Sequence, residues 1–416
     1  MKAAALVLLG LLAGATAGLL LPSLPPAWAD AAVAAARPLG RAWLSGLQMT
    51  VLPLVAAMLV VGVNEASAAA SGRIARRALA WMVGLALLAA AIGAVLAPAL
   101  LQLVPPDPRL VESLRSQAPP DPVAGDPLDG VAGLVPSNPF AALASGRVVP
   151  VVVFMLCFAA ALTQLPAARR EPILAVARGV AEAMLVIVRW LLRLAPLGVA
   201  AVILPVTVAA GAAALGALGM YLVVLLAVYG VIGVVVYLVA WGGGLSPGRF
   251  AAAILPAQAV AAGTQSSLAT LPAMIDCAEK RLGVTPAVTG LVLPLAVSLF
   301  RITSPAQYLT MASFIAWAEG IVLPPGAVAV AVVLAVIISL GAVGLPGQAS
   351  LLSTSLPLVQ SLGLPLEPLG LFLAVDFVPD IAATACNVTA DLAVTGRVAA
   401  AEARLRPPAG PQGTSG

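Results

Sequence analysis

The stretch Val375 to Asp391, VDFVPDIAATACNVTAD, puts three aspartates and an asparagine into a C-terminal segment whose surroundings are apolar enough to span a membrane. An ionisable residue inside a transmembrane segment costs about 2.5 to 3.5 kcal/mol on insertion scales, and it usually faces a partner or an aqueous cavity. Asp380, Thr384, Asn387 and Asp391 follow one another at spacings of four, three and four residues. On an α-helix these residues form one polar stripe, which predicts a binding site along that face.

The composition is that of a polytopic membrane protein. Hydrophobic residues make up 62% of the chain and charged residues 9%, with a mean hydropathy of +1.08. Soluble domains carry about 25% charged residues. Because a crossing takes about 20 apolar residues, the length admits about eight to ten membrane segments and no long extramembrane domain. We therefore expect an all-α protein embedded in a lipid bilayer.

Several function classes lose support from the residue types present. The chain has no histidine, which removes the commonest transition-metal ligand and the usual general base near neutral pH. Its three cysteines are widely spaced, so neither a disulfide framework nor a CxxC metal site is indicated. The net charge of +4 comes without a dense Lys/Arg run, which argues against nucleic-acid binding. We expect no enzyme activity and no cofactor.

Apolar segments divide the first part of the chain into six predicted crossings. They cover residues 3–21, 44–63, 78–104, 148–165, 173–206 and 215–241. The run after Met1 admits a signal peptide, but its length favours a retained first helix. Arginines such as Arg76, Arg169 and Arg249 recur in alternate connections, so the positive-inside rule assigns both termini to the cytoplasm. We expect a multi-pass protein of the cell inner (plasma) membrane.

The second half of the chain has shorter apolar runs that polar or helix-breaking residues interrupt. Residues 251–280 are divided by GTQSSLATLP, and residues 320–362 are divided by GAVGLPGQAS. Each pattern fits either a re-entrant hairpin or two ordinary helices joined by a short external turn. Between them, a helix candidate from Thr285 to about Ala318 is interrupted at 300–305, where a polar run and Pro305 are expected to break it.

Three of these stretches carry motifs that belong together. Ser266 to Pro272 reads SSLATLP, Gly344 to Gly347 reads GLPG, and Asp380 is followed by Asn387 to Asp391, NVTAD. They resemble the first hairpin tip, the second hairpin tip and the last helix of the dicarboxylate/amino acid:cation symporters, the family of the glutamate transporters. Stretches that resemble the family's second, fourth and fifth helices are 49–54, 138–150, 181–183 and 195–199. The resemblance thus covers nearly the whole chain in order.

The resemblance implies eight transmembrane helices plus two re-entrant helical hairpins, a homotrimer, and elevator-like transport of a small-molecule substrate. Sodium or a proton is the candidate coupling ion. The implied division is 1–77 scaffold (helices one and two), 78–104 transport part (helix three), 105–139 external loop, 140–207 scaffold (helices four and five), 208–250 transport part (helix six), 251–284 first hairpin, 285–319 broken helix seven, 320–363 second hairpin, 364–400 helix eight, and 401–416 disordered cytoplasmic tail.

Substrate-binding roles follow from the same resemblance. Asp380 corresponds to the family aspartate that receives a substrate's amino group, and a carboxylate supplies the counter-charge that a buried ammonium needs. Asn387 corresponds to a residue that contacts the α-carboxylate or the neighbouring cation shell. Thr384 corresponds to a hydroxyl near the substrate side chain. Ser266 and Ser267 lie where the hairpin tip holds a carboxylate.

Cation-binding and gating roles complete the expected site. Asp391 corresponds to a sodium-ligating carboxylate, and oxygen ligands are what a hard cation requires. Asp376 corresponds to a buried acidic position that either ligates an ion or tunes the local field. The tip of the second hairpin is expected to gate the site through Gly344, Pro346 and Gly347, and Gly344 also to contact substrate.

The sequence departs from the family at positions that decide coupling and selectivity. The family's NMDGT in the broken seventh helix is replaced here by Phe300 to Ser304, FRITS, so two sodium ligands are lost and Arg301 is introduced. Unit charges about 4 Å apart repel by roughly 4 kcal/mol at an effective dielectric near 20, so a guanidinium there competes with bound cations. Ala383 and Gln265 stand where the family has arginines.

These departures leave several functions open. Arg301 either substitutes for a sodium ion, contacts the substrate anion, does both, or extends to the membrane interface. We expect a symporter of amino acids or dicarboxylates with altered cation coupling. A neutral amino acid carrier, a sodium-independent uniporter or exchanger for dicarboxylates, and a receptor that has lost transport remain alternatives.

Overall fold

The computed structural model describes residues 2–69, 72–104, 135–145, 148–341, 347–366 and 368–404. Within those residues, regular structure is entirely helical. The amino-terminal helices are α1 Lys2–Leu20, α2 Pro26–Ala69, α3 Arg73–Leu101, α4 Pro139–Ala144, α5 Val148–Thr163, α6 Ala167–Arg193, α7 Ala195–Ala210 and α8 Ala212–Gly242. The remaining helices are α9 Pro247–Thr264, α10 Ser267–Asp276, α11 Pro286–Leu299, α12 Thr303–Glu319, α13 Pro325–Gly341, α14 Gly347–Ser361, α15 Leu369–Val375 and α16 Phe377–Ala403.

The helices include several that are long and apolar enough to cross a membrane. In the described part of the chain, four spans meet that criterion: α3, α8, α11 with α12, and α16. The bent pair α6 and α7 makes a fifth if it counts as one span, and four shorter apolar helices accompany them. The protein is therefore a multi-pass membrane protein, while eight crossings with re-entrant hairpins remain a prediction.

The predicted crossing at 173–206 consists of two helices joined by a bend. α6 ends at Arg193, α7 starts at Ala195, and the two axes differ by 61°. Pro196 stands in the first turn of α7, where it lacks an N–H and its ring excludes the carbonyl of the preceding turn. Hydropathy did not indicate this bend because apolar residues lie on both sides of it.

The first predicted hairpin is a helix–turn–helix unit. α9 and α10 pack against each other and are joined by Gln265 and Ser266. Gln265 has a φ of 50°, a left-handed conformation that reverses the chain. α13 and α14 form a second packed pair, and the residues that join them, 342–346, lie outside the described part of the chain.

Two groups of helices make the most extensive contacts. α2 packs against α5, α6 and α7, and α7 also packs against α1. Separately, α3 packs against α12, and α16 packs against α8, α9 and α11. The groups meet where α2 contacts α13 and α14, and where α7 contacts α8 and α15. α16 therefore lies among the helices that line the site described below.

Close packing of α1 on α7 depends on three glycines at helical spacing. A Cβ on Gly14 would lie 2.6 Å from the carbonyl oxygen of Ala200, and one on Gly10 would meet the carbonyl of Pro196. A Cβ on Gly18 would meet the hydroxyl of Thr207. Because small residues let helix backbones approach within a membrane, this face holds α1 against α7.

The carboxyl end of α16 extends further than the sequence suggested. The helix continues to Ala403, three residues into the expected disordered tail. Glu402 accepts hydrogen bonds from Arg73 at 2.6 Å and Arg77 at 2.7 Å, both at the start of α3. These ion pairs fasten the end of α16 to α3.

Candidate functional site

A cavity of about 250 Å³ lies where four parts of the chain converge. They are the turn between α9 and α10, the break between α11 and α12, the first half of α14, and one face of α16. The charged groups that line it are Arg301, Asp376 and Asp380. The other lining residues are mainly hydroxyl and amide side chains, so the cavity suits a small polar molecule.

The break between α11 and α12 presents Arg301 to the cavity. α11 ends at Leu299, Phe300 is extended with φ −117° and ψ 120°, and α12 starts at Thr303. The side chains of Phe300 and Ile302 are 2% and 1% exposed, so they anchor the break on either side of Arg301. Pro305, which was expected to cause the break, lies inside the first turn of α12, where a missing N–H costs little.

Asn387 joins α16 to the start of α12. Its Oδ1 accepts hydrogen bonds from the backbone N–H of Thr303 at 3.1 Å and from the Thr303 hydroxyl at 3.0 Å. An N–H of the first turn has no partner inside its helix, and Asn387 supplies one. A backbone N–H can only donate, so the Asn387 atom that accepts from Thr303 must be the amide oxygen. The Nδ2 of Asn387, a residue that lines the cavity, is then left as a donor.

Two aspartates one turn apart line the same cavity. Asp376 is 4% exposed, and its Oδ1 accepts a hydrogen bond from Gln307 Nε2 at 2.9 Å. Asp380, one helical turn further along, is also largely buried, and its backbone N–H donates to the Asp376 carbonyl at 2.9 Å. The cavity thus has a negatively charged side formed by the start of α16.

Arg301 acts on two carboxylates at different depths. Its positive charge interacts favourably with Asp380, which lines the cavity, and with Asp391, which lies deeper on α16. Asp391 is 0% exposed, and neither of its carboxylate oxygens has a hydrogen-bond partner among the described residues. A buried carboxylate without such partners requires a cation or a proton.

The turn between α9 and α10 forms another wall of the cavity. Ser266 caps α10 by accepting a hydrogen bond from the Ala269 N–H at 3.2 Å. Ser267 and Leu268 begin the helix and line the cavity, so the unpaired N–H groups of its first turn lie at the wall. Gln265 Nε2 donates to the carbonyl of Phe377 at 3.1 Å, which ties this turn to α16.

The sequence profile described as the Sodium:dicarboxylate symporter family matches residues 4–401. The chain belongs to that family. The chain is 29% identical over 364 residues to the proton/glutamate-aspartate symporter of Escherichia coli strain K12, which covers 84% of this chain and 82% of that protein. It is 28% identical over 351 residues to the C4-dicarboxylate transport protein of Azorhizobium caulinodans, covering 82% and 77%. It is 30% identical over 389 residues to the neutral amino acid transporter B(0) of Oryctolagus cuniculus, covering 85% and 71%.

Membership in this family identifies a membrane transport protein rather than an enzyme. The three named relatives differ in substrate: one name specifies acidic amino acids, one dicarboxylates and one neutral amino acids. Similarity therefore leaves the substrate of this chain to the chemistry of its own cavity. Sodium, named in the family description, takes oxygen ligands, and the unpartnered carboxylate of Asp391 fits such an ion while Arg301 competes with it.

The structure brings most of the predicted site residues together. The cavity is lined by Ser266, Ser267, Arg301, Asp380, Thr384 and Asn387. Asp391 lies behind the cavity rather than on its wall, and Gly347 is the first residue of α14. The predicted gating residues Gly344 and Pro346 lie outside the described part of the chain, so their roles remain predictions.

Two contributors to the site were missed by sequence reasoning. Gln307 hydrogen-bonds Asp376, and Thr303 hydrogen-bonds Asn387, both from the first turns of α12. Their spacing of four residues puts them on one helix face, and a glutamine inside an otherwise apolar span is a signal for such a contact. Attention to that polar pair would have extended the predicted site into α12.

Proposed function

We propose that this protein is a secondary active carrier of amino acids in which the positive charge of Arg301 replaces that of a bound cation. The main observation in support of this proposal is the position of Arg301 in the break between α11 and α12, where its charge acts on Asp380 and Asp391. A fixed guanidinium whose charge acts on buried carboxylates neutralises charge that a sodium ion would otherwise have to neutralise. Coupling then needs fewer sodium ions, or none.

The cavity supports an amino acid as the carried molecule. Asp380 supplies a carboxylate for the α-amino group through a charge-assisted hydrogen bond. The Asn387 Nδ2, on the same helix face as Asp380, and the N–H groups at the start of α10 supply donors for the α-carboxylate. A dicarboxylate, the alternative substrate, would bring two negative charges to a cavity that holds two carboxylates and one guanidinium.

The packing supports an elevator mechanism as the route of transport. The cavity-lining helices α9 to α12 and α16 pack against one another and, chiefly through α12 and α16, against α3 and α8, whereas α1, α2, α6 and α7 pack mainly with one another. In the mechanism we propose, the first group carries the cavity across the membrane and the second group stays fixed. The fixed group then forms the homotrimer, with both termini in the cytoplasm.

Uptake into proteoliposomes tests this function. We expect the wild-type protein to exchange labelled amino acid without a sodium gradient, or to accumulate it with a proton gradient alone, and Arg301→Met to abolish uptake or make it depend on sodium. Arg301→Lys, which keeps the charge, is expected to retain sodium-independent uptake at a lower rate. The exposed Arg178→Gln serves as the control. Uptake by the wild-type protein that depends steeply on sodium would overturn the role of Arg301.

Counterflow separates this proposal from that of a receptor. Vesicles preloaded with unlabelled amino acid are expected to take up external label transiently above equilibrium. A protein that binds substrate but lacks counterflow is a receptor, and the proposed carrier function would then be wrong.

A further inference from the structure

Asp376 is the side chain of the cavity whose charge the described part of the protein leaves uncompensated. It is 4% exposed and lines the cavity, and its one hydrogen bond with described residues comes from the neutral amide of Gln307 at 2.9 Å. That bond uses Oδ1, so Oδ2 remains an acceptor on the cavity wall. The neighbouring charge that acts on Asp376 is the like charge of Asp380.

Arg301, the cation that lines the cavity, interacts electrostatically with carboxylates other than Asp376. Arg301 acts on Asp380 and Asp391. Residues 342–346, which lie outside the described part of the chain, read AVGLP and contain no charged side chain. A buried carboxylate without a cation is costly, and an amide donor compensates only part of that cost. Asp376 therefore requires either a proton or a positive group from the molecule that enters the cavity.

Ala383 leaves room for such a group. Asp376, Asp380, Ala383 and Asn387 follow one another at spacings of four, three and four residues, so they share one face of the helical segment. Ala383 is 6% exposed and lines the cavity between Asp380 and Asn387. Its side chain ends at Cβ, so it occupies little of the cavity between Asp380 and Asn387, and a ligand held there can extend past Asp380 toward Asp376.

We propose that Asp376 binds a cationic group on the side chain of the substrate, which is therefore a basic amino acid with an amine or guanidinium. This inference rests on the proposed amino acid carrier function. The α-amino group pairs with Asp380, the α-carboxylate with the donors of Asn387 and α10, and the side-chain cation with Oδ2 of Asp376.

The charges of the cavity support the same substrate class. The ionised side chains that line it are two carboxylates and one guanidinium, so a basic amino acid with one net positive charge balances these lining charges; Asp391, which lies behind the wall, is outside this count. A neutral amino acid leaves one uncompensated negative charge, and an acidic amino acid or a dicarboxylate leaves more. Because uncompensated charge is expensive in a low-dielectric site, affinity should fall in that order.

Calorimetric titration of the purified full-length protein with lysine, arginine, alanine, aspartate and succinate tests the inference. We expect lysine or arginine to bind at least tenfold more tightly than alanine, and aspartate and succinate more weakly still. Asp376→Asn is expected to bind lysine no more tightly than alanine. Ala383→Arg, which brings a guanidinium to the same face of the helix, is expected to lose the preference for basic ligands. The exposed Glu171→Gln is the matched control and should keep it.

The outcomes separate this inference from the function on which it rests. Alanine or aspartate binding as tightly as lysine in the wild-type protein overturns the basic-substrate inference and leaves an amino acid carrier. The same holds if Asp376→Asn keeps the preference for lysine. A third outcome also overturns the basic-substrate inference. If the wild-type protein shows no preference for lysine, and its alanine binding depends on pH whereas that of Asp376→Asn does not, Asp376 binds a proton instead. No binding of any amino acid contradicts the carrier proposal itself.

Discussion

The side-chain oxygen of Asn387 accepts two hydrogen bonds from Thr303, one from the backbone N–H at 3.1 Å and one from the hydroxyl at 3.0 Å. These bonds connect the polar face of α16 to the first residue of α12. They also orient the amide of Asn387 so that its Nδ2 is available to the cavity. The position of the proposed substrate-binding donor thus depends on Thr303, two residues after Arg301.

Replacing Thr303 with valine tests this connection. The change removes the hydroxyl donor and keeps the backbone N–H and the shape of the side chain, so one of the two bonds to Asn387 is lost. A net hydrogen bond contributes about 0.5 to 1.5 kcal/mol, so we expect substrate affinity to fall by about twofold to tenfold. Titration of the purified variant with its preferred amino acid measures this loss.

Thr303→Ser is the matched control, because it keeps the hydroxyl. Wild-type affinity in the serine variant and reduced affinity in the valine variant would support the role of the bond. Equal affinities in all three proteins would show that the orientation of Asn387 does not depend on Thr303.

The turn between α9 and α10 gives a second prediction. Gln265 adopts φ 50° and its Nε2 donates to the carbonyl of Phe377 at 3.1 Å. Gln265→Gly and Gln265→Ala both remove that bond, but only alanine keeps a side chain in the left-handed region, which costs about 1 to 2 kcal/mol. We expect both variants to bind substrate more weakly and the alanine variant to have the lower melting temperature. Thermal unfolding in detergent, followed by tryptophan fluorescence, measures the difference.

Equal melting temperatures for the two variants would contradict the backbone argument. Unchanged substrate affinity in both would instead show that the bond to Phe377 does not hold the turn against the cavity. The two readouts therefore test the conformation and the contact separately.

The helix interface between α1 and α7 gives a third prediction. A Cβ on Gly14 would lie 2.6 Å from both the Ala200 carbonyl oxygen and the Cγ2 of Ile203. Contacts that short force the helices apart, and overpacking typically costs 1 to 3 kcal/mol, so Gly14→Ala should lower the melting temperature by several degrees. Gly84→Ala is the control, because nothing lies within 4 Å of its added Cβ. A Gly84 variant that melts as low as the Gly14 variant would show that helix glycines, rather than this interface, set the stability.

Much of the site could be predicted from sequence because its largest part lies on one helix. The predicted stripe of Asp380, Thr384, Asn387 and Asp391 depends only on helical periodicity; the first three residues line the cavity as expected, and Asp391 lies behind it. The partners across the cavity could not be predicted in this way. Thr303 and Asn387 are 84 residues apart, and Gln307 and Asp376 are 69 residues apart, so tertiary packing rather than local pattern brings them together.

The course of the helices was less predictable than their existence. Hydropathy detected apolar residues on both sides of Leu194 but contained no information on the 61° bend there. Asp376 was expected within a continuous last helix, yet it occupies the junction between α15 and α16. Such junctions depend on how the helices pack, and apolar residues satisfy either arrangement.

The electrostatic link between Arg301 and Asp391 gives the last prediction. The guanidinium acts on a fully buried carboxylate whose oxygens accept no hydrogen bonds from described residues. Arg301→Met leaves that carboxylate without the guanidinium charge, whereas Asp391→Asn removes the buried charge. If the two residues neutralise each other, each single variant should lose at least tenfold in substrate affinity without sodium. The double variant should lose less than the product of the single losses.

Titrations of the four proteins, each with and without sodium, complete the cycle. We expect sodium to restore binding to Arg301→Met, which keeps Asp391, and to have little effect on the double variant, which has lost the carboxylate. Losses that multiply without interaction would show that the two residues act independently, and the guanidinium would then not be the cation that serves Asp391.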